Sequence, residues 1–130
     1  MTSSGLSNRI LFHNVVWSEV PAVPGVYVIY DIDEVVYVGM AGRNGKGSLR
    51  NRLRDHASGQ IVNMFAQYLF LARIQFLSEN RIRHPRDAKT ACQRYIRERC
   101  SFQFKVTEDS KTARDLENRL KAELRPALNP

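Results

Sequence analysis

Cysteine is scarce in this chain, with Cys92 and Cys100 the only two. That is too few for a disulfide framework, and their spacing does not match a zinc site. Both read as buried, reduced thiols, which points to the cytoplasm. Long apolar runs are missing as well. No stretch approaches the roughly 20 apolar residues needed to span a bilayer, so no membrane partner is expected. The first eight residues are polar and lack the basic-then-apolar pattern of a secretory signal. No repeat, low-complexity tract or Pro/Gly/Ser-rich linker divides the 130 residues. The length suits one domain, residues 1–130, with its core in residues 22–130. A hydrophobic content of 43% and a charged content of 25% exclude a disordered or fibrous chain.

Positive charge is almost absent from the first 42 residues, where Arg9 faces Glu19, Asp31, Asp33 and Glu34. The rest of the chain carries the excess. The net charge is +7, from 20 basic and 13 acidic residues, and arginine greatly outnumbers lysine. A planar guanidinium suits bidentate phosphate contact better than an ammonium point charge. Net charge also serves solubility, so a nucleic-acid partner is at this point a working hypothesis.

The strongest strand signals form a hairpin. Residues 26–30 and 35–38 are β-branched or aromatic throughout, and the turn-like residues 31–34 separate them. Antiparallel pairing brings Gly25-Val26-Tyr27 beside Tyr37-Val38-Gly39. One register places Tyr27 and Tyr37 on the same face and the alternative separates them; the sequence leaves both open. Gly42, Gly45 and Gly47 then make a basic loop with Arg43 and Lys46. Ser48 is a candidate N-cap for a helix to about residue 58, stopped by Gly59. On it, Arg52 and His56 lie four apart. Residues 61–77 are nearly all apolar and ambiguous in period, and a strand within 65–73 is expected there. Residues 86–99 have helical spacing, 102–106 alternate as a half-buried strand, and a last helix runs from residue 109 or 110 to before Pro126. The expected fold class is α/β (α+β), a small, mainly antiparallel sheet flanked by helices around Leu49, Tyr95 and Leu120.

The last helix holds an anomaly. Ala113, Leu116, Leu120 and Leu124 form an apolar stripe at about 100° per residue, and Glu117 falls inside it. A carboxylate facing a core must be paired, protonated or metal-bound. A salt bridge to an arginine, or a side chain at the stripe's edge reaching water, would also satisfy it. Glu123, at the other margin, is a weaker candidate.

The ordered set Gly25-Val26-Tyr27, Tyr37-Val38-Gly39, Arg52, Glu117 and Asn129 resembles the GIY-YIG nuclease superfamily, over residues 25–129. That superfamily includes homing endonucleases, the incision subunit of nucleotide excision repair and a few restriction enzymes. Residues 35–42 running into 49–56 resemble in particular the restriction-endonuclease branch, in which a histidine four residues after the arginine joins the site. The resemblance implies a metal-dependent endonuclease that hydrolyses DNA phosphodiester bonds. It implies that Tyr27 positions or deprotonates the attacking water, with Tyr37 supporting the water network. It further implies that Arg52 grips the scissile phosphate and that Glu117 is the single protein ligand of one Mg²⁺ or Mn²⁺ ion. His56 would activate Tyr27 or the water, or protonate the leaving group. Gly25, Gly39 and Asn129 would brace the site. A free phenol has a pKa of about 10, so a phenolate at Tyr27 needs a nearby cation.

The chain departs from the pattern at Met40, where repair members often carry lysine. His13 and His84 have no partners at ligand spacing, and Trp17 reads as a core anchor. Arg43, Lys46, Arg81, Arg83, Arg94 and Arg97 are the expected phosphate contacts. RNA is a further substrate class compatible with the charge, and double-strand cleavage would need a homodimer or two successive nicks. Two rival readings are a catalytically silent nucleic-acid-binding module of the same fold and an adaptor whose charge confers solubility.

Overall fold

Among the described residues, four strands form one antiparallel sheet: β1 (Ile10–Leu11), β2 (Gly25–Asp31), β3 (Glu34–Ala41) and β4 (Cys100–Val106). Their order across the sheet is β1-β4-β2-β3, so the β2–β3 hairpin sits at one edge and β4 lies against β2. The described residues also hold the α-helices α1 (Leu49–Ala57), α2 (Met64–Ala72), α3 (Pro85–Arg99) and α4 (Ser110–Leu124). The computed structural model describes residues 5–42, 47–60, 63–77 and 81–129. The expected α+β architecture is the one observed. Among the described residues, no helix is long and apolar enough to cross a membrane.

The sheet's two faces bury different sets of side chains. Tyr27, Ile29, Tyr37 and Phe102 belong to a core with Leu49 and Leu53 of α1, Phe65 and Leu69 of α2, and Cys92 and Ile96 of α3. Val26, Val28, Val38 and Met40 pack instead with Ala113, Leu116 and Leu120 of α4. This separation follows from the period of two along each strand. The N-terminal segment contributes too, since β1 pairs with β4 and Phe12 and Val20 are buried in the larger core. Trp17 is half-buried and stacks parallel to Phe102, which makes it a core anchor.

The hairpin register is settled by the ladder. Tyr27 lies opposite Gly39 and Ile29 opposite Tyr37, so the two tyrosines are diagonal neighbours on one face. A bulge between Ile29 and Tyr30 shifts the pairing before the turn. The turn itself is tight, with Ile32 at φ 57°, a conformation a β-branched residue rarely adopts. Its N–H donates to the Arg99 carbonyl at 2.8 Å, and its own carbonyl accepts from Arg9 at 2.7 Å.

One expectation fails. Residues 65–73 form no strand; Met64–Ala72 is helix α2. Asn63 starts it by accepting a hydrogen bond from the Ala66 N–H, and Met, Ala, Gln and Leu are good helix formers. The helix carries apolar residues on its outer side as well, including the exposed Met64 and Leu71, and this blurred its period. The other helices begin and end close to their sequence signals. Ser48 caps α1 through the Asn51 N–H, and Asp109 caps α4 through the Thr112 N–H.

At the turn end of β2, Asp31 ties three elements together. Its buried carboxylate accepts from Arg73 after α2 at 2.8 Å, from Arg99 of α3 at 3.1 Å, and from the Tyr95 hydroxyl. Burial, reinforced by the hydrogen bond to Asp31, pushes the Tyr95 phenol up to about 12. Replacing Asp31 with Asn takes the carboxylate from Arg99 and leaves Arg73 with Glu34 as its charge partner. We expect Asp31→Asn to lower unfolding free energy by about 3 kcal/mol, the low end for a broken buried pair because both arginines keep contact with water. Urea unfolding checks this, and a loss below about 1 kcal/mol would contradict it.

Candidate active site

The sheet end away from the Asp31 turn opens into a cavity of about 440 Å³. Tyr27, Tyr37, Gly39, Arg52 and Glu117 line it, with Ser48, Asn51 and Asp55 completing its α1 wall. They enter from β2, β3, α1 and α4, and the reasons are local. Tyr27 and Tyr37 share the inner face of the hairpin, with ring centroids 6.4 Å apart. Gly39 makes room for them, because a Cβ there would collide with the Tyr27 hydroxyl and ring. At Gly25 a Cβ would meet the Lys105 carbonyl and the Leu49 side chain, so the residue lets β4 and α1 close on the strand. These packing constraints explain both glycines of the paired tripeptides.

Helix α1 delivers Arg52 and His56 to the same side. His56 is completely buried, and its Nε2 lies 2.6 Å from the Tyr27 hydroxyl. Its Nδ1 lies 2.7 Å from Asn63 Oδ1 at the start of α2. Rings of Tyr37 and Phe65 enclose it at centroid distances of 5.7 and 5.3 Å. Burial pushes the imidazole pKa down to about 3 against the opposing Asn63 hydrogen bond, and the Arg52 charge lowers it further. His56 is therefore neutral at pH 7.

Tyr27 is only 1% exposed, and burial drives its phenol far above the ordinary value, with the neighbouring Tyr37 adding to the rise. Arg52 works against that rise by favouring the phenolate. Partial burial opposes the Arg52 charge, yet attraction and hydrogen bonding to Tyr27 outweigh it and raise its pKa. Asp55 adds a through-space attraction to Arg52, and Asp109 is occupied as the α4 cap.

Glu117 approaches from α4, on the opposite face of the sheet. It is 6% exposed, and Lys121, one turn on, places its ammonium 3.4 Å from the carboxylate. The buried carboxylate is thus paired with a lysine, while still lining the cavity. Glu123 is exposed and takes no part. Among the described residues, no group of three or more His, Cys, Asp or Glu could hold a metal ion together. A single hard oxygen donor fits a cation that completes its shell with water and phosphate oxygens, as Mg²⁺ and Mn²⁺ do.

Asn129 reaches β3 from the chain's end. Its Oδ1 accepts from the Val38 N–H at 2.7 Å and its amide donates to the Val38 carbonyl at 2.9 Å. This clamps the edge strand between Tyr37 and Gly39. The expected phosphate contacts stand apart: Arg81, Arg83, Arg94 and Arg97 are exposed, and none lines the cavity. Arg43 and Lys46 lie outside the described residues. His13 is exposed, and His84 caps α3 by accepting from the Arg86 N–H. Asn63 was not singled out from the sequence. Its signal was present all the same, as an asparagine immediately before an apolar run.

The family model of the GIY-YIG catalytic domain matches residues 25–130. The chain belongs to that family, which is a family of nucleases acting on nucleic acid. No curated protein and no solved structure matches the chain.

The buried imidazole has a consequence for stability. Its folded pKa, about 3, lies below the unfolded value near 6.5. As pH falls below about 6.5, the unfolded chain takes up a proton that folded His56 refuses, so this contribution to stability is lost progressively toward pH 3. The groups facing the imidazole are Tyr27 from β2, Tyr37 from β3 and Arg52 from α1; α2 presents Phe65 and Asn63, which do not titrate. Comparing urea unfolding of wild type and His56→Gln from pH 7 to 4 should show a shallower acid loss in the variant. Parallel curves would contradict the buried neutral state.

Proposed function

We propose that this chain is a metal-dependent endonuclease that hydrolyses DNA phosphodiester bonds at the cavity beneath the hairpin. The observation that carries the reading is the convergence of Tyr27, Arg52 and Glu117, from three separate elements, on one cavity. A water at the Tyr27 oxygen would be the nucleophile. With the Tyr27 hydroxyl as donor to His56 across their 2.6 Å contact, its oxygen would retain lone pairs to accept a hydrogen bond from that water. As the water attacks phosphorus, its proton passes to the Tyr27 oxygen while the Tyr27 proton passes to His56 Nε2. A relay of this kind needs no free phenolate, whose formation burial opposes. The incoming phosphodiester anion favours the imidazolium that results.

Arg52 holds the phosphate and stabilises charge that develops on its oxygens. Tyr37, stacked against Tyr27, supports the hydrogen-bonding of the water. Glu117 would hold one Mg²⁺ or Mn²⁺ ion, which supplies charge neutralisation on the phosphate and stabilisation of the leaving oxygen. Asn129, Gly25 and Gly39 keep the hairpin in place around these groups. The restriction-endonuclease branch is favoured by His56, which sits against Tyr27.

Exposed Arg81, Arg83, Arg94 and Arg97, with Arg43 and Lys46, are the proposed backbone contacts to DNA. With one site per chain, a double-strand cut would use a homodimer. A reducing, cytoplasmic setting suits the two buried, free thiols.

Plasmid nicking with and without Mg²⁺ or Mn²⁺ tests the reading. Glu117→Gln should lower metal-dependent nicking by about 10²-fold or more, the scale of losing one charge-stabilising group. Its fold should persist, because the paired Lys121 is partly exposed and can rehydrate. Wild-type cleavage by this variant would overturn the metal assignment. A wild-type protein without any cleavage, in either metal, would favour a silent binding module.

A further inference from the structure

The hydrogen-bond chain that begins at Tyr27 does not end at His56. Asn63 Oδ1, which receives His56 Nδ1 at 2.7 Å, also accepts the backbone N–H of Ala66 at 3.3 Å. A backbone amide can only donate, so the second contact identifies the Asn63 atom as its oxygen rather than its nitrogen. That oxygen bears no proton. Nδ1 of His56 must therefore be the donor in this bond. A neutral imidazole carries one ring proton, which leaves Nε2 as a bare acceptor 2.6 Å from the Tyr27 hydroxyl.

We propose that Asn63 is a positioning residue of the active site, which holds His56 in the Nδ1–H tautomer so that Nε2 can take the proton of Tyr27. The inference rests on the relay described above, in which the Tyr27 O–H bond breaks as the Nε2–H bond forms. Phe65 has no acceptor, and Arg52 can only donate. The cap and the tautomer are set by one atom. Asn63 starts helix α2, and the helix backbone in turn orients the amide that orients His56. Asn63 also lines a second cavity of about 420 Å³, which shares Arg52 and Asp55 with the first.

Nitrogen NMR of the full chain, labelled at histidine, reads the tautomer directly, with His56→Gln identifying the His56 signals. The expected spectrum has a protonated Nδ1 and an unprotonated Nε2. Asn63→Ser keeps a hydroxyl for the helix cap but is too short to reach the imidazole. It should shift His56 toward the Nε2–H form and lower kcat for plasmid by about 10-fold or more, with KM little changed. Asn63→Asp retains both acceptor contacts and should restore the Nδ1–H signature and most of the rate. An Nε2–H tautomer in the wild type would overturn the proposal, as would an Asn63→Ser protein with undiminished kcat. Should the serine variant fail to fold, the wild-type and Asn63→Asp spectra still decide. The tautomer is read without metal or DNA. A protein that shows it but never cleaves would count for the tautomer assignment and against the nuclease reading.

Discussion

A buried phenol and a buried imidazole share one hydrogen bond at the centre of this site. Two polar groups in a dry interior are costly unless each is satisfied, so the surroundings must hold both in register. Tyr27 can reach His56 only because Gly39 leaves its ring room beneath the neighbouring strand. His56 can face Tyr27 only because α1 is anchored by Leu49 and Leu53 in the larger core. Asn63 supplies the acceptor that the second imidazole nitrogen would otherwise lack. Burial then sets the protonation states, a neutral imidazole and a neutral phenol, and leaves the positive charge to Arg52 at the cavity wall.

Strand β2 joins two very different polar arrangements. At one end, Tyr27 takes part in a neutral pair that borders an open cavity. At the other, Asp31 is locked between two arginines and a tyrosine hydroxyl. The second arrangement fixes α2 and α3 against the sheet, and α2 carries Asn63 at its other end. Precise placement of Asn63 thus depends partly on a carboxylate at the far end of the strand. On the opposite face α4 packs independently on the hairpin and brings Glu117 to the cavity from the other side.

Much of this was legible in the sequence, for physical reasons that differ by residue. The hairpin, α1, α3, β4 and α4 announced themselves through β-branched runs, caps and clean periodicity. Glu117 stood out because a carboxylate on an apolar stripe has few stable explanations. Its ion-pair partner did not: an arginine was the alternative weighed beside a metal, and a lysine one helical turn away stands there. The hairpin register was undecided because both choices bury an apolar face, and the turn that fixes it contains a β-branched residue at positive φ. The run at 65–73 was misread as strand because α2 is apolar on both sides, which removes the amphipathic signal. Asn63 went unnoticed with it. A residue that acts through a contact seven positions away on another helix leaves no mark in local periodicity.

Tyr27 is proposed to conduct the proton of the attacking water, and its hydroxyl can be deleted with little change to packing. Tyr27→Phe leaves His56 Nε2 without its donor, at a stability cost of about 1 kcal/mol. The decisive measurement is single-turnover cleavage at saturating DNA, with binding followed separately across a salt series. If Tyr27 conducts that proton, the cleavage rate falls by about 10²-fold or more, with affinity and its salt dependence preserved. Cleavage by Tyr27→Phe at the wild-type rate would contradict it.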